Sequence, residues 1–521
     1  MMDALVIFIP LLPLLAGIIV GLGTVCGVLT GEDKESLAAD ISLWAITMSC
    51  LLSLVTLGAD LLGKNSGTFE AGEWLKCDSL VVSVNFISAG FNIRLATLFA
   101  VLLAIIMRFS IAYMHREAGY YRFFFIFNVF AFAMLVLVLS GNAVITFMGW
   151  EIAGLCSYLL IAYAYDRPIA AANATRVFVT NRIGDVGFVL GIGLSYVLLG
   201  SVNWLDIKDQ ATSLDVGEAT GLAFCFAVAA FAKSAQLPFT LWLAKAMEGP
   251  TPSSAAFYGA VMIHAGIYLV IFLQAIFEQA PLIMGLLVFV GLLTAVYSYL
   301  VGLTQTDVKS SLVFATSGQL GLMFMECGLG FWQLASWHLA AHAIVRGYQV
   351  LTAPSLLHNV HENPVQSVSP FLARSNWLYL ASVQRFWLDQ MIDWGLAKPV
   401  RQLAHDLSYF DDHALDRLMG FSAPAINAVA TLAQLKEKSI GAQLDNDIDD
   451  FSHGTGLAGT LTHWIAGSMN WLEKHLVLEG VSNKTLANSR ELGRFVNGIE
   501  RKVLRPRYLV LFVFITLLVT F

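Results

Sequence analysis

Charge is what this sequence lacks. Only 13% of its 521 residues are charged, while 57% are hydrophobic. Soluble domains carry roughly 25% charged residues, so this deficit points to a chain that lives in a membrane. Basic blocks are missing as well, and the formal net charge is −7, which argues against nucleic acid as a partner. The six cysteines (Cys26, Cys50, Cys77, Cys156, Cys225 and Cys327) are scattered, with no C-x-x-C pair. That spacing speaks against a disulfide framework, a zinc ribbon and an iron–sulfur cluster. The first apolar run, Leu5 to Gly23, has neither a basic leader nor a small-residue cleavage site. It reads as a permanent span rather than a signal peptide.

Long apolar runs are what the sequence has in abundance. Stretches of about 18 or more apolar residues mark spanning helices, and they fall near 4–23, 38–62, 92–114, 122–139, 142–164, 172–199, 219–240, 253–275, 281–303, 306–328 and 331–357. A shorter run, Tyr508 to Phe521, closes the chain. The expected fold is therefore an all-α polytopic membrane protein of about 12 transmembrane helices. Arg116 and Arg122, Arg167 and Lys309 follow the third, fifth and ninth runs, against Lys64 and Lys76 on the other side. The positive-inside rule then places the N-terminus outside and residues 359–506 on the cytoplasmic side. There, "RFWLDQMIDWGLAKPVRQLAHDLSYFDDHALDRLM" alternates apolar and charged residues at helical spacing, and Trp464 to Leu478 does the same. Both read as amphipathic helices lying on the membrane face or against a partner, with "AQLDNDIDDF" as an acidic loop between them. On the outer side, "LVVSVNF" within Gly67 to Gly90 predicts a short strand pair.

Ionisable residues inside apolar helices are costly and face the bundle interior, so each is a functional candidate. From the helical rise, Glu151 in "MGWEIAGLCSY" lies about 14 Å and Lys233 about 21 Å from the outer ends of their spans. Arg182 and Asp185, in "TNRIGDVG", share one face about 15–20 Å from the inner end of theirs, and His264 in "MIHAGIY" lies at similar depth. In "WHLAAHAIVRGYQ", His338, His342 and Arg346 are spaced i, i+4, i+8 along one stripe, with Gln349 beside it. Two histidines at i, i+4 can suit zinc. The glutamate of H-E-x-x-H is absent, however, no third ligand is near, and Arg346 would repel the ion. A single buried histidine or aspartate more often ties helices together than relays protons, and Arg182–Asp185 reads equally well as a structural ion pair.

The stretch "FAVAAFAKSAQLPF" joins these threads. Pro238 prevents a continuous helix, so the segment bearing Lys233 is expected to end within the membrane with unpaired carbonyls. The partial negative charge of such a helix end stabilises a cation, as in transporters with discontinuous helices. Burial favours loss of the lysine's proton, and a carboxylate such as Glu151 favours its retention. A lysine balanced between the two is a proton-relay element.

"WEIAGLCSYLLI", "NRIGDVGF", "AKSAQLPFTLWL", "EGPTPSSA", "TQTDVKSSLVFATSGQLG" and "HLAAHAIVRG" occur in this order between about residues 90 and 350. Together they resemble the proton-translocating antiporter-type membrane subunits, a family that includes subunit L (chain 5) of NADH–quinone oxidoreductase and the large Mrp antiporter subunit. The resemblance implies a discontinuous seventh helix carrying the key Lys233 paired with Glu151, breaks at Pro238 and Pro250, and His338 and His342 on a central polar axis. It also implies a transporter subunit of a bacterial inner membrane, with no catalytic centre and no cofactor of its own. The expected division is residues 1–91 as N-terminal spans, 92–358 as the antiporter-like core, 359–506 as docking helices and 507–521 as a final membrane helix.

Departures from the family pattern narrow the expectation. Ala244 and Lys245 replace a Pro-Asp pair before "EGPTPSSA", Tyr258 stands where many members have histidine, and His264 where others have threonine or lysine. Val345-Arg346 replaces Phe-Lys, and an arginine stays protonated. The respiratory subunits carry further spans, whereas here the eleventh run leads straight to the amphipathic segment. That layout resembles the membrane subunit of two-component inorganic-carbon accumulators of the DAB/Mps type. This implies proton conduction coupled to CO2/bicarbonate accumulation by a large cytoplasmic, zinc-containing, carbonic-anhydrase-like partner. The alternatives are a pumping subunit of a redox complex, a cation/proton antiporter subunit, and a non-conducting anchor for a soluble enzyme.

Overall fold

In an apolar solvent every backbone polar group needs a partner, which long helices supply within themselves. The computed structural model describes residues 3–77, 80–353, 374–392 and 394. The chain divides into two compact units, residues 1–386 with 506–521, and residues 387–505. The first unit holds α1 (Phe8–Val25), α2 (Glu35–Leu61), α3 (Gly90–Tyr113), α4 (Tyr120–Leu139), α5 (Ala143–Ile161) and α6 (Pro168–Leu199). A short α7 (Trp204–Asp209) leads to α8 (Val216–Lys233), α9 (Leu241–Lys245) and α10 (Thr251–Ser254). Then follow α11 (Ala265–Phe272), α12 (Gln274–Glu278), α13 (Pro281–Gly302), α14 (Val308–Gly328) and α15 (Trp332–Thr352).

Among the described residues, nine helical segments are long and apolar enough to cross a membrane, the last being α13. The protein is a polytopic membrane protein. The tenth and eleventh expected spans are the helices α14 and α15, of 21 residues each, kept less apolar by the polar side chains described below. The twelfth run, the acidic loop, the amphipathic candidate Trp464 to Leu478 and most of 359–506 lie outside the described residues. Within that segment a helix spans Asn376–Val383, its first turn capped by the Ser375 side chain.

The core forms around α4, whose residues from Phe123 to Leu139 are all buried against α1, α2, α3 and α5. A helix apolar on every side can sit only at such a centre. β1 (Thr68–Cys77) and β2 (Leu80–Ile87) form an antiparallel hairpin. Asn142 fixes it to the bundle: its Oδ1 caps α5 by accepting from the Ile145 amide (2.8 Å). Its Nδ2 donates to the Ser83 carbonyl (2.6 Å) and to Asn85 Oδ1 (2.7 Å). This marks one end of the bundle, called the hairpin end below.

Two spans depart from the sequence expectation, and both departures shape the site. The run 219–240 does not continue to Pro238: α8 stops at Lys233. Ala235 adopts φ +50°, and the Gln236 amide turns back onto the Phe231 carbonyl (2.8 Å). This is the closure that ends many helices, here with alanine in the left-handed position usually given to glycine. The run 253–275, expected as one helix, is in pieces: α10, a π-helical turn Ala255–Ala260, a 3-10 turn Met262–His264 and α11. At Val261 (φ −123°, ψ −71°) the amide reaches back to the Ala256 carbonyl (3.2 Å), so the helical register slips beside His264. Pro250 breaks neither span, since it directly precedes α10, a position its fixed φ suits.

The two broken helices meet. Gly266, in the first turn of α11, faces the Ala230 carbonyl and Ser234 Oγ so closely that a Cβ has no room. Ser234 Oγ donates to the Ile263 carbonyl (2.6 Å). Gly266→Val is expected to cost about 1–3 kcal/mol through overpacking, whereas Ala235→Gly relieves the left-handed alanine and gains up to about 1 kcal/mol. Thermal melting of the purified protein in detergent checks both: the melting temperature falls for the first variant and holds or rises for the second.

Candidate functional site

The first cluster is assembled by α5, α6 and the end of α8. Arg182 on α6 ion-pairs with Glu151 on α5, and its other arm reaches Asp185 one turn on (2.9 Å). Asp185 also accepts from Trp150 Nε1 (2.8 Å). The Lys233 ammonium, 1% exposed, donates to the Trp150 carbonyl (3.0 Å) and stands 4.9 Å from the Trp150 ring centroid. The direct Glu151–Lys233 pair expected from the sequence is therefore not what the structure contains. The planar guanidinium of Arg182 reaches both carboxylates at once, and Lys233 takes a carbonyl on the same helix as Glu151. Gly154 faces both cations: a Cβ there would lie 3.3 Å from Arg182 Nη2 and 3.5 Å from Lys233 Nζ.

The carbonyls freed at the end of α8 are taken by neighbours. Trp242 Nε1 donates to the Ala232 carbonyl (2.8 Å), Ser317 Oγ to Ala235 (3.0 Å) and Gln236 Nε2 to Ser234 (2.9 Å). They are not the acceptors of the Lys233 ammonium, which reaches across to α5 instead. Immediately after Lys233, the Ser234–Ile263 hydrogen bond leads to the second cluster.

That cluster joins the 3-10 turn of the eighth span to α14 and α15. His264 Nε2 and His342 Nδ1 lie 2.8 Å apart, a distance that places one proton between the two rings. His264 is fully buried and His342 nearly so. His338, one turn before His342, is not hydrogen-bonded to it. Its Nδ1 lies 2.9 Å from Glu326 Oε1 and its Nε2 2.9 Å from Gln319 Oε1. An imidazolium satisfies both acceptors, and rotation of the Gln319 amide satisfies the neutral ring, so the site accommodates either charge state. Arg346, one turn beyond His342, is 8% exposed and has no carboxylate partner among the described residues.

Several buried polar atoms along this line have no hydrogen-bond partner among the described residues: Glu151 Oε1, His342 Nε2, Glu326 Oε2 and Gln349 Oε1. Atoms of this kind are ordinarily met by interior water. Zinc finds no cage here, since the facing nitrogens of His264 and His342 are engaged with each other. Among the described residues no group of three His, Cys, Asp or Glu side chains is placed to hold a metal. Three participants escaped the sequence reading. Glu326 lies near the end of α14 and so resembled a boundary residue. Gln319 and Trp150 carry no formal charge and gave no signal.

Residues 140–376, which contain both clusters, match the family described as NADH:quinone oxidoreductase/Mrp antiporter, transmembrane. The chain carries an antiporter-type membrane domain of this family. Among similar proteins, subunit 5 of the chloroplast NAD(P)H-quinone oxidoreductase of Zygnema circumcarinatum is 34% identical over 384 residues, 73% of this chain and 54% of that one. Chain 5 of the NAD(P)H-quinone oxidoreductase of Picosynechococcus sp. is 34% identical over 360 residues, 68% of this chain and 54% of that one. The chain thus spans about half the length of these relatives. Among solved structures, the Mrp complex from Dietzia sp. DQ12-45-1b has a similar chain, with a TM-score of 0.58, 26% identity, and coverage of 66% of this chain and 37% of that one. The archaeal membrane-bound sulfane sulfur reductase shares the fold, with a TM-score of 0.55 at 19% identity over 66% of this chain and 70% of that one.

Within the antiporter-type domain, Arg182 neutralises two carboxylates, so removing it alone leaves both uncompensated. Arg182→Ala is expected to destabilise by at least about 2 kcal/mol, and adding Glu151→Gln and Asp185→Asn is expected to recover most of that loss. Thermal unfolding of the three single variants and the triple variant measures the recovery. Additive losses would mean that the three groups do not act as one cluster.

Proposed function

We propose that the chain translocates protons as a membrane subunit of a heteromeric complex of the NAD(P)H–quinone oxidoreductase or Mrp kind, moving ions rather than making or breaking covalent bonds. The observation that carries this reading is the junction of the two broken helices. Through the Ser234–Ile263 hydrogen bond, the Lys233 cluster adjoins the His264–His342 pair inside an otherwise apolar bundle. Interior ionisable groups are expensive in a membrane and are kept where ions pass.

In this reading the proton-exchanging groups are Lys233, His264, His342, His338 and Glu326. Arg182 and Arg346 are fixed positive charges, because a guanidinium does not give up its proton. Arg182 sets the field at Lys233 by holding or releasing Glu151 while Asp185 stays braced by Trp150. The imidazole pair passes a proton by exchanging donor and acceptor roles, and His338 with Glu326 forms the terminus near the hairpin end. The unpartnered atoms give water its places between them. With the N-terminus outside, the hairpin end faces outward, and the surrounding membrane is of bacterial type.

The names of the similar proteins favour a redox complex as the setting. A second reading, proton flow coupled to CO2/bicarbonate accumulation by a zinc-containing carbonic-anhydrase-like subunit, is favoured by the departures at Ala244, Lys245 and Arg346. Residues 359–506 are the proposed docking segment in either case.

Purification of the intact complex separates the two settings: quinone-reducing or iron–sulfur subunits support the first, a lone zinc protein the second. In vesicles containing that complex, Lys233→Arg keeps a cation but not a transferable proton. Proton flux followed with a pH-sensitive dye is expected to fall about tenfold or more, and Glu326→Gln is expected to lower it as well. Unchanged flux in a well-assembled Lys233→Arg complex would overturn the reading.

A further inference from the structure

At the hairpin end a cavity of about 770 Å3 opens among the starts of α3 and α15 and the short helix α7. Its lining includes two cations, Arg94 and Lys208, and no acidic residue. Neither forms an ion pair among the described residues. Lys208 Nζ stands 4.6 Å from the Phe272 ring centroid, and burial lowers its pKa against the opposing pull of Asp209. It is a partly desolvated ammonium with no bound anion of its own.

The cavity is graded. Arg94 lies in the first turn of α3 and Lys208 on α7, both at the bundle end, while Leu98 lies one helical turn deeper, about 6 Å along the axis. Leu98 and Leu205 supply the apolar wall that reaches the cavity, with Trp337 also in the lining, whereas Leu95 and Leu339 behind them are already buried. An apolar protein helix seated here would cover two cations without compensating them. A small soluble anion would leave the leucine wall in water. A molecule with an anionic head and an aliphatic tail satisfies both parts.

We propose that this cavity binds an anionic phospholipid, its phosphate held between Arg94 and Lys208 and an acyl chain lying along Leu98 and Leu205. Trp337 and Leu339 flank His338 in sequence, so the lipid braces the start of the helix that carries the histidine stripe. The binding does not depend on the direction of proton flow or on the partner.

The full-length protein is incorporated into nanodiscs of phosphatidylcholine and phosphatidylglycerol, and retained lipids are counted by native mass spectrometry after release. The expected result is about a thirtyfold preference for phosphatidylglycerol, in line with roughly 1 kcal/mol for each of the two basic residues. Arg94→Gln with Lys208→Gln is expected to abolish the preference. Leu98→Trp, which keeps both cations but fills the wall, is expected to reduce the amount of lipid retained. Equal retention of the two lipids by the unaltered protein overturns the assignment, as does full preference in the monodisperse double variant. Undiminished retention in Leu98→Trp, or a protein subunit found seated in the cavity, overturns it too.

Discussion

A helix that ends inside an apolar bundle must find partners for its last carbonyls, and α8 and its closing turn find them in the turn itself and in side chains from other elements. Trp242, Ser317 and Gln236 each take one of the freed groups. With those carbonyls occupied, the chain can turn through Ala235, and Lys233 is left as the last helical residue, aimed at α5. The same turn presents Ser234 to Ile263, which fixes the second irregular span against the first. The Lys233 cluster and the His264–His342 pair lie on either side of this junction.

Electrostatically, the first cluster sets Arg182 and Lys233 against two carboxylates, and the pairing is unequal. Arg182 is engaged by both acids, whereas Lys233 has a carbonyl and an aromatic face. A lysine so placed feels the carboxylates through space without being locked to either, the arrangement on which the proposed proton transfer rests. The second cluster sets the His264 and His342 rings in hydrogen-bond contact, and His338 closes on Glu326; in the proposed function these groups hand the proton on. Arg182 in the first cluster and Arg346 beside the second supply a standing positive charge.

Much of this was legible in the sequence. Run length and low charge suffice for a polytopic helical bundle, because hydrocarbon permits few other structures. The charged interior residues stood out for the same reason, since an acid or base in a run such as that around Glu151 or Lys233 has no bland surroundings to blend into. Partner choice was less legible. Glu151 takes Arg182 rather than Lys233 because side-chain reach and helix rotation decide it, and neither is written in spacing along one helix. The break beside His264 carried no proline or glycine pair at Val261, so the eighth span looked continuous. Pro238 drew attention to the right stretch but not to the residue where α8 stops, because an alanine performs the turn. Glu326 was overlooked because a charge near a helix end usually meets water.

The central claim is that the Lys233 cluster and the His264–His342 pair act in series on one path. Proton flux through vesicles containing the intact complex, compared among Lys233→Ala, His264→Ala and the double variant at equal assembled protein, tests it most directly. Groups in series predict that each single substitution lowers flux to the residual level and that the double is no lower. A double variant whose loss equals the product of the two single losses, or a His264 variant with full flux, would contradict it.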